Sequence, residues 1–395
     1  MKKNKFLFTV IIIFHALWMM FISYLWLNMP YSYDWESNMV VGTNLLKNVI
    51  LGIEDKPDKN DLLFVNVSYD KMLIPRYDND GFESGKIAIT DRAAILKFLQ
   101  TINSDPNYKF IILDLFFEDS TTLDSALQAQ VLKSKNLILP YHLDGGKTSL
   151  KNNIKGWTGL ADYDADFGTF LKYTYLQRDT FHTVPLLLYQ KYNNGYLHKT
   201  GPFYTSNGHL ALNALTLDFP VRTYDIFTND SIGYNSVHLC DLANLPPAFI
   251  KELTKNKIIV IGDFMEKDIH PTLYGNIAGP LIQLNAYLAL VNNDHLLTWP
   301  LLIFIFVNYF MISWSLFSGN VLITNKWLKK IQDSKMGGLF YDFIKYAFFL
   351  ILINIFGYLI FDVHLNVLIM GIYIVIVEYL ITWIHSLSDK KNKKI

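Results

Sequence analysis

Residues 110–117 read FIILDLFF, an apolar run that is interrupted once by an acidic residue, Asp114. The run is short, its side chains are bulky or β-branched, and polar turns bound it, which is typical of a buried β-strand. Three other runs share these properties: Asp61–Val67 (DLLFVNV), Asn136–Tyr141 (NLILPY) and Lys257–Gly262 (KIIVIG). The sequence therefore predicts at least four buried strands.

Helical patterns separate these strands. Thr90 or Asp91 is suited to cap a helix that places its apolar side chains on one face, and Thr122–Ser134 repeats that pattern. Strands that alternate with helices predict an α/β domain in three layers, with a mainly parallel sheet and right-handed crossovers. Residues Lys147–Pro247 contain Asn and Gly turns and aromatic residues. We expect an inserted β-rich segment there.

Four longer apolar segments flank this domain. Each is long enough for the roughly 20 helical residues that cross a hydrocarbon layer, and a backbone in lipid must satisfy its own hydrogen bonds. We therefore predict four transmembrane helices, at residues 6–29, 299–317, 343–361 and 365–387. The first could instead be a cleaved signal peptide, but its apolar stretch exceeds the about 7–15 residues of that class.

Lysine residues indicate how these helices are oriented. They cluster before the first helix, in a basic loop at residues 318–342 and in a basic tail at residues 388–395. Because basic segments favour the cytoplasmic side, we expect both termini in the cytoplasm and residues 30–298 beyond the membrane. The sequence thus predicts a multi-pass membrane protein with an extracytoplasmic domain.

Composition narrows the class of function. Residues 30–298 carry 23 Lys and Arg against 30 Asp and Glu, a net charge of −7, which argues against binding to nucleic acid. Cys240 is the only cysteine, so the chain can form no internal disulfide and has no CxxC motif. The segments expected in the cytoplasm are too short to fold as domains, so we expect any signal to reach a separate effector protein.

Acidic side chains follow several predicted strands. In open α/β sheets, ligands bind at the carboxyl ends of the strands, which makes these residues candidates for a site that binds a cation or a polar ligand. Asp114 has apolar neighbours on both sides and is the hardest of them to explain as a helix cap, and Arg92 is its natural partner. The alternative is that the carboxylates cap helices and turns. The candidate ligand-binding residues are Asp70, Arg92, Asp114, Asp263, Asp268 and His270.

Each predicted transmembrane helix also contains a notable polar residue: His15, Asn308, Asn354 and Glu378, respectively. A charged side chain in hydrocarbon is costly and usually meets a partner. A functional interpretation is a site between helices that responds to protons or a signal, or a contact with another membrane protein. A structural interpretation is a hydrogen bond from a protonated Glu378 to Asn354 that holds two helices together.

Motifs for catalysis and for metal binding are missing from the sequence. It contains no GxSxG, Walker loop, HExxH or GxGxxG. The acidic run at Asp162, Asp164 and Asp166 begins like a calcium loop, but Phe167 and Tyr173 stand where that loop requires Gly and Glu. We therefore predict no metal site, no cofactor and no enzymatic activity, with an envelope enzyme that uses the carboxylates at the strand ends as the alternative.

Several strings in the chain together resemble one family. FVNVSYDKML, ITDRAAILKFL and FIILDLFFED resemble its first strand, first helix and second strand, with Arg92 and Asp114 at matching places. RDTFHTVPLLLY, KIIVIGDF and GPLIQLNAY continue the same order. From about Leu62 to Leu297 the chain is similar to the CHASE2 domain, an extracytoplasmic sensory module of bacterial membrane proteins. Family members usually carry an acidic residue and a histidine in the last helix, where this chain has Leu281 and Gln283.

The resemblance and the topology together lead to a functional prediction. We expect a non-enzymatic sensor or receptor of the bacterial inner membrane, whose periplasmic domain binds a ligand or a protein and signals through its helices. The expected partners are the lipid bilayer and a separate membrane or cytoplasmic effector, and a homo-oligomer is left open. The alternative is a structural or scaffold subunit of a membrane complex in the cell envelope.

Overall fold

The computed structural model describes residues 5–30, 34–53, 56–78, 80–144, 147–148, 152–163, 165–166, 169–170, 172–227, 233–319 and 337–392. The chain divides into two compact units. We call Ile53–Leu197 and Leu217–Asn293 the α/β unit. We call Met1–Gly52, His198–Thr216 and Asp294–Ile395 the helical unit.

The strands are, in chain order, β1 (Leu62–Asn66), β2 (Lys71–Tyr77), β3 (Glu83–Thr90), β4 (Phe110–Leu113), β5 (Leu137–Tyr141), β6 (Leu143–Asp144), β7 (Lys147–Thr148), β8 (Trp157–Leu160), β9 (Ala165–Asp166), β10 (Thr169–Phe170), β11 (Lys172–Thr174), β12 (Leu176–Gln177), β13 (Phe181–His182), β14 (Leu197–Thr200), β15 (Phe203–Ser206), β16 (His209–Ala211), β17 (Ala214–Thr216), β18 (Ser236–His238), β19 (Ile258–Gly262), β20 (Ile269–Thr272) and β21 (Gly275–Ala278).

The α-helices are α1 (Lys5–Leu27), α2 (Asp34–Leu45), α3 (Arg92–Asn103), α4 (Asp124–Lys133), α5 (Val184–Asn193), α6 (Thr223–Phe227), α7 (Leu239–Asn244), α8 (Pro247–Thr254), α9 (Gly279–Val291), α10 (Trp299–Ser318), α11 (Gly337–Phe361) and α12 (Val367–Asn392). A π-helical turn at Leu46–Ile50 follows α2, and a short 3₁₀ helix at Lys59–Asp61 precedes β1.

A six-stranded sheet forms the centre of the α/β unit, in the order β18-β1-β19-β4-β5-β8. Every neighbouring pair in this sheet is parallel, for example Phe64 beside Val260 and Ile112 beside Val260 on its other side. The side chains of β1, β4 and β19 are fully buried, as expected for a parallel sheet that is covered on both faces. The predicted α/β class with a mainly parallel sheet is confirmed.

Helices cover both faces of the sheet. On one face, α3, α4, α7 and α8 pack over a core that includes Val65, Ile95, Phe98, Leu113 and Ile261. Asp91 caps α3, because its side chain accepts hydrogen bonds from the backbone N–H groups of residues 93 and 94. On the other face, α9 packs beside α5 and against β19. The unit thus has the three layers that the alternating strands and helices predict.

The segment 147–247 proves to be a mixture. It contains short antiparallel pairs, such as β12 with β13, which fits the predicted β-rich insertion. It also supplies β8 and β18 to the parallel sheet and α5 to a helical layer. Because β8 and β18 are only four and three residues long, they are held as strands by their neighbours rather than by a strong pattern of their own.

Three described helical segments of the helical unit are long and apolar enough to cross a membrane: Lys5–Leu27, Trp299–Ser318 and Val367–Ile384. The described apolar part of the third predicted transmembrane helix, Tyr346–Phe361, is shorter. Within this unit, α1 packs against α10, and α11 packs against α12. Residues 320–336 of the basic loop and 393–395 of the basic tail lie outside the described residues.

Candidate functional site

A cavity of about 710 Å³ opens at the carboxyl-terminal edge of the parallel sheet in the α/β unit. Residues that follow β1, β4, β5, β8 and β19 line it, and the start of α9 closes one side. This is the edge at which the carboxyl ends of parallel strands gather and where ligands bind in open α/β folds. Of the predicted ligand-binding residues, five line the cavity: Arg92, Asp114, Asp263, Asp268 and His270.

Asp114 follows β4, and its backbone N–H donates to the carbonyl of Ile261 on the neighbouring strand at 2.9 Å. Its side chain is half-buried at the cavity. Burial and, secondarily, the negative charge of Asp268 raise the pKa of Asp114 well above its ordinary value. Within the described part of the chain, the Asp114 carboxylate has neither a hydrogen-bond donor nor a basic partner.

Asp268 is the acidic neighbour of Asp114, and its position is fixed by several contacts. It precedes β20, and the β20–β21 hairpin returns the chain to Gly279 at the start of α9. The backbone N–H of Gly279 donates to the carbonyl of Asp268 at 2.8 Å, and the Asp268 carboxylate lies 2.6 Å from Nε2 of His270. The ring of Tyr163 meets the His270 ring edge-on, with centroids 5.1 Å apart. These contacts fix where the second carboxylate stands.

Asp263 follows β19 and is buried in a hydrogen-bond network. Its Oδ1 accepts from the Ser68 hydroxyl at 2.7 Å and from the backbone N–H groups of Glu266 and Met265 at 2.9 and 3.1 Å. Nζ of Lys71 lies 3.7 Å from its Oδ2. Burial alone would raise the pKa of Asp263, but the hydrogen bonds and Lys71 outweigh it and lower the pKa. Asp263 is therefore ionised at neutral pH.

Arg92 does not pair with Asp114, so that prediction is wrong. Its guanidinium lies over the ring of Phe117 at 4.2 Å, donates from Nη2 to the carbonyl of Asp119 at 3.4 Å, and has Nε 3.7 Å from Asp124. Burial lowers the pKa of Arg92, and the charges of Asp124 and Asp119 oppose that shift. Helix α4 begins at Asp124 and packs beside α3. The Arg92 side chain therefore contacts Asp124 and the Phe117 ring instead of Asp114.

Asp70 stands apart from the cavity. Its carboxylate accepts hydrogen bonds from the backbone N–H groups of Leu239 at 2.9 Å and Cys240 at 3.3 Å, at the start of α7. Free N–H groups at the start of a helix need such acceptors. The structure thus gives Asp70 the capping role that was the alternative for the whole acidic set.

Sequence reasoning missed a second carboxylate–imidazole pair in the cavity. Nδ1 of His142 lies 2.5 Å from Oδ1 of Asp162, whose Oδ2 accepts from the backbone N–H of Leu143 at 2.8 Å. The His142 ring stacks on Phe116 at 4.4 Å between centroids. His142 follows β5 and Asp162 follows β8, so the rule of strand carboxyl ends would have found both residues had β8 been recognised. Asp164 and Phe167 of the acidic run lie outside the described residues.

Gln283 of α9 stands at one of the two positions where proteins that resemble this chain usually carry an acidic residue or a histidine. Its side-chain oxygen accepts from the hydroxyl of Tyr173 at 2.8 Å, and its nitrogen donates to the carbonyl of Ala161 at 3.2 Å. Both ends of the amide are thus occupied by protein, and the residue joins α9 to the end of β8. Among the residues that the structure describes, no group of three or more His, Cys, Asp or Glu side chains could hold a metal ion.

Polar residues of the helical unit join its helices. His15 of α1 lies 2.8 Å from the hydroxyl of Ser313 on α10 through Nδ1 and 3.1 Å from that of Tyr373 on α12 through Nε2. Asn308 donates to the carbonyl of Phe304 within its own helix.

Asn354 and Glu378 do not form the predicted pair. Oδ1 of Asn354 accepts from the backbone N–H of Leu365 at 2.5 Å, and its Nδ2 has no hydrogen-bond partner within the described residues. The predicted hydrogen bond between Glu378 and Asn354 is therefore wrong. Asn354 instead closes the connection between α11 and α12, whose backbone needs an internal acceptor in an apolar setting. Glu378 is half-buried on α12, where its carbonyl accepts from Thr382 at 2.9 Å.

Comparison with known proteins gives one result. The family model of the CHASE2 domain matches residues 32–319, which is well over half of the chain. No curated protein and no solved structure matches it. The match includes all the cavity residues described above and extends from just after α1 to the end of α10.

Proposed function

The chain belongs to the CHASE2 family, whose domain is an extracellular sensory domain, and we propose that it is a non-enzymatic receptor that binds a small polar ligand in the sheet-edge cavity. The apolar helices on both sides of the matched region support a place in a membrane. We further propose a multi-pass inner-membrane protein with both termini in the cytoplasm. The signal would pass through the helices to a separate effector protein.

The observation that carries this proposal is the cavity itself. It lies at the ligand-binding edge of an open α/β sheet and combines apolar walls with a few converging polar groups. Asp114 is left without a partner there among the described residues, while Asp263 lies near Lys71, and Asp162 and Asp268 each lie within hydrogen-bonding distance of a histidine. An uncompensated carboxylate in a cleft costs free energy that a bound ligand can recover.

Helix α9 offers a route from the cavity along the chain. Gly279 and Gln283 line the cavity, and most of the thirteen residues of α9 are buried. The helix ends at Val291, and only a few residues separate it from Trp299, where α10 begins. A change in the position of α9 would therefore be transmitted through a short connector to a helix that we propose spans the membrane.

Hydrogen bonds within the helical unit join this connector to the end of β16 and, through it, to α1. The carbonyl of His295 accepts from Leu212, and the N–H of Leu297 donates to Leu210, so the connector pairs with the end of β16. Strand β16 is also bonded to α1, because the hydroxyl of Tyr24 donates to the carbonyl of Ala211 at 3.2 Å. A displacement of the connector would thus act on α1 as well as on α10.

The scaffold alternative is favoured by a different feature, the β2–β3 hairpin. This two-stranded ribbon exposes large apolar side chains, with Leu73 65% and Phe82 73% exposed. Exposed apolar surface of this kind is typical of a protein contact. Under this alternative, a Leu73→Ser, Phe82→Ser double substitution would release a protein that co-purifies with the wild type, while the cavity would be irrelevant.

A ligand-binding experiment tests the leading proposal. The full-length protein in lipid nanodiscs would be heated in the presence of fractionated small-molecule extract, and the unfolding temperature recorded. Ala88→Trp places an indole at the cavity mouth, since Ala88 is exposed and lines the cavity, and Ser84→Trp places one at another exposed position of β3 that does not line the cavity. We expect a fraction that stabilises the wild type and Ser84→Trp but not Ala88→Trp. Equal responses, or none, would contradict the proposal.

The proposed topology has a direct test, because Cys240 is the single cysteine and is exposed. A maleimide that does not cross membranes should label Cys240 in intact spheroplasts, and Cys240→Ser should abolish the signal. Hydrogen bonding to Asp70, with a contribution from burial, raises the pKa of this thiol, so labelling needs a mildly alkaline buffer. Labelling that occurs only after lysis would contradict an extracytoplasmic domain.

A further inference from the structure

The cavity has an excess of negative charge that its own basic groups do not balance. Asp162 and Asp268 are each within hydrogen-bonding distance of a histidine, and Asp263 is paired with Lys71. Arg92 lines the cavity, but its side chain is 99% buried, and its guanidinium lies over Phe117 and contacts Asp119 and Asp124 rather than Asp114.

Glu118 and Lys267 also line the cavity, but their side chains are exposed to solvent. Asp119 interacts electrostatically with Arg92. Asp114, beside Asp268, is therefore the carboxylate here that is partly shielded from solvent and has no partner in the described part of the chain.

A second carboxylate at the cavity has one oxygen without a hydrogen bond to the described residues. Asp263 is 93% buried and lines the same cavity, and its Oδ2 has no hydrogen-bond donor among the described residues. The nearest charge is Nζ of Lys71, which at 3.7 Å is too far for a hydrogen bond. Two acidic side chains with unmet acceptors at one cleft indicate a ligand that donates several hydrogen bonds and carries positive charge.

The apolar residues that line the cavity indicate which chemical group the ligand carries beside its positive charge. Val67, Ile89, Leu115 and Phe116 give the cavity apolar walls beside the carboxylates, and Tyr163 adds an aromatic ring. A hydrated metal ion would gain nothing from such walls and would need several oxygen ligands around it. A protein-bound proton could neutralise Asp114, but it would leave a cavity of about 710 Å³ unused.

We propose that the cavity binds an organic cation that bears a primary ammonium group on an alkyl chain, with the ammonium between Asp114 and Asp268 and the chain against Leu115 and Phe116. This inference rests on the proposed function and names the chemical class of its ligand. An ammonium group has three donors and no acceptor, which matches two carboxylates that cannot bond to each other while both are ionised. The raised pKa of Asp114 reports the same unmet charge.

Calorimetry on the full-length protein in nanodiscs tests the class directly. The probes are butylamine and 1,4-diaminobutane, with butanoate, 4-aminobutanoate and magnesium chloride as comparisons of the same size or charge. We expect saturable binding of at least one amine at neutral pH and none of butanoate or magnesium. Asp114→Asn keeps the shape of the side chain and removes its charge, and it should weaken amine binding by about tenfold or more.

Glu118→Gln is the matched control, because Glu118 is exposed at the same cavity and the change removes one negative charge from its rim. It should alter amine affinity by no more than about twofold, since an exposed charge is screened by solvent. If Asp114→Asn fails to fold, Asp268→Asn replaces it, with the same expected loss. An equal loss in the Glu118→Gln protein would mean non-specific attraction and would overturn the proposal.

Other outcomes also decide the question. Binding of 4-aminobutanoate without any amine would indicate a zwitterion held by the basic residues, and binding of magnesium alone would indicate a metal site; each overturns the ammonium assignment. If no amine binds but an extract fraction stabilises the protein in a cavity-dependent way, the ligand class is wrong and the receptor function stands. If neither an amine nor any fraction acts, the receptor function fails as well.

Discussion

The carboxylate of Asp268 occupies the space that a side chain at Gly279 would need. A Cβ on Gly279 would lie 2.3 Å from Oδ2 and 2.5 Å from Oδ1 of Asp268, well inside van der Waals contact. The residue that begins α9 and the acid that faces Asp114 are therefore locked together by shape as well as by the hydrogen bond between their backbones. A movement of this carboxylate on ligand binding would therefore change the packing at the first turn of α9.

We predict that Gly279→Ala displaces the Asp268 carboxylate and so damages the cavity. Overpacking of this kind typically costs about 1–3 kcal/mol of unfolding free energy. The unfolding temperature in nanodiscs should fall, and any stabilisation by the extract fraction or by amines should weaken. Thermal scans of the wild type and the variant, with and without ligand, provide the measurement.

Gly42→Ala is the control for that change. Gly42 is exposed in α2, and nothing lies within 4 Å of a Cβ at this position. Because alanine is the better helix former, this variant should be unchanged or stabilised by about 0.5–1 kcal/mol. A Gly279→Ala protein that behaves like Gly42→Ala would show that Asp268 moves aside at no cost.

Asp114 should make the protein less stable as the pH rises. Its folded pKa lies above the ordinary value of 3.8, so the native state holds the proton more tightly than the unfolded chain does. Stability from this group is therefore fully present below the unfolded pKa and is lost as the pH rises toward the folded pKa. Asp114→Asn should become more stable relative to the wild type across that window. Unfolding curves of both proteins at several pH values would test this, and a constant difference would contradict it.

Asp263 should have the opposite dependence on pH. Its folded pKa is lowered, so its stabilising effect is present above the unfolded pKa and is lost as the pH falls through the folded pKa. Asp263→Ala leaves the N–H groups of Met265 and Glu266 without their acceptor, which should cost about 1–3 kcal/mol at neutral pH. The deficit relative to the wild type should shrink in acid. A deficit that is the same at every pH would show that the carboxylate acts only through its shape.

Ser313 should contribute to the packing of α10 against α1. Its hydroxyl lies 2.8 Å from Nδ1 of His15. Hydrogen bonds between helices in a membrane contribute about 0.5–2 kcal/mol, so Ser313→Ala should lower the free energy of unfolding in mixed micelles by that amount. Thr9→Ala is the control, because the Thr9 hydroxyl is exposed and donates within its own helix to Lys5. Equal effects of the two changes would argue against a bond that joins the helices.

The sequence reveals a structural element where its pattern is strong and local. The runs around Phe64, Ile112 and Val260 are found as central strands because they are apolar throughout, and Asp91 is found as a cap because capping acts over two or three residues. Residues Trp157–Leu160 and Ser236–His238 carry no such pattern. They become strands only because β5 and β1 already offer an edge to pair with. Strand edges of this kind depend on the assembled sheet, which a single sequence does not display.

The same difference applies to the candidate site. The rule that ligands bind at strand carboxyl ends brought Asp114, Asp263 and Asp268 to one edge, because it requires only strand positions. It could not give their partners, which depend on how helices pack. Arg92 lies by Asp124 because α3 and α4 pack together, so the expected bond to Asp114 does not form. Asp70 lies beside α7 for a similar reason.

The three-stranded sheet formed by β14, β15 and β16 affects how a soluble version of the CHASE2 domain can be prepared. Its backbone is bonded to Tyr24, through the N–H of Tyr204 at 2.6 Å, and Phe203 packs against the Tyr24 ring. A truncated protein that lacks α1 would lose these contacts. The aromatic side chain of Phe203 and the backbone N–H of Tyr204 would then be without their partner. Secretion of residues 30–298 alone should therefore yield aggregates, whereas replacing residues 198–216 by a short flexible bridge should improve recovery.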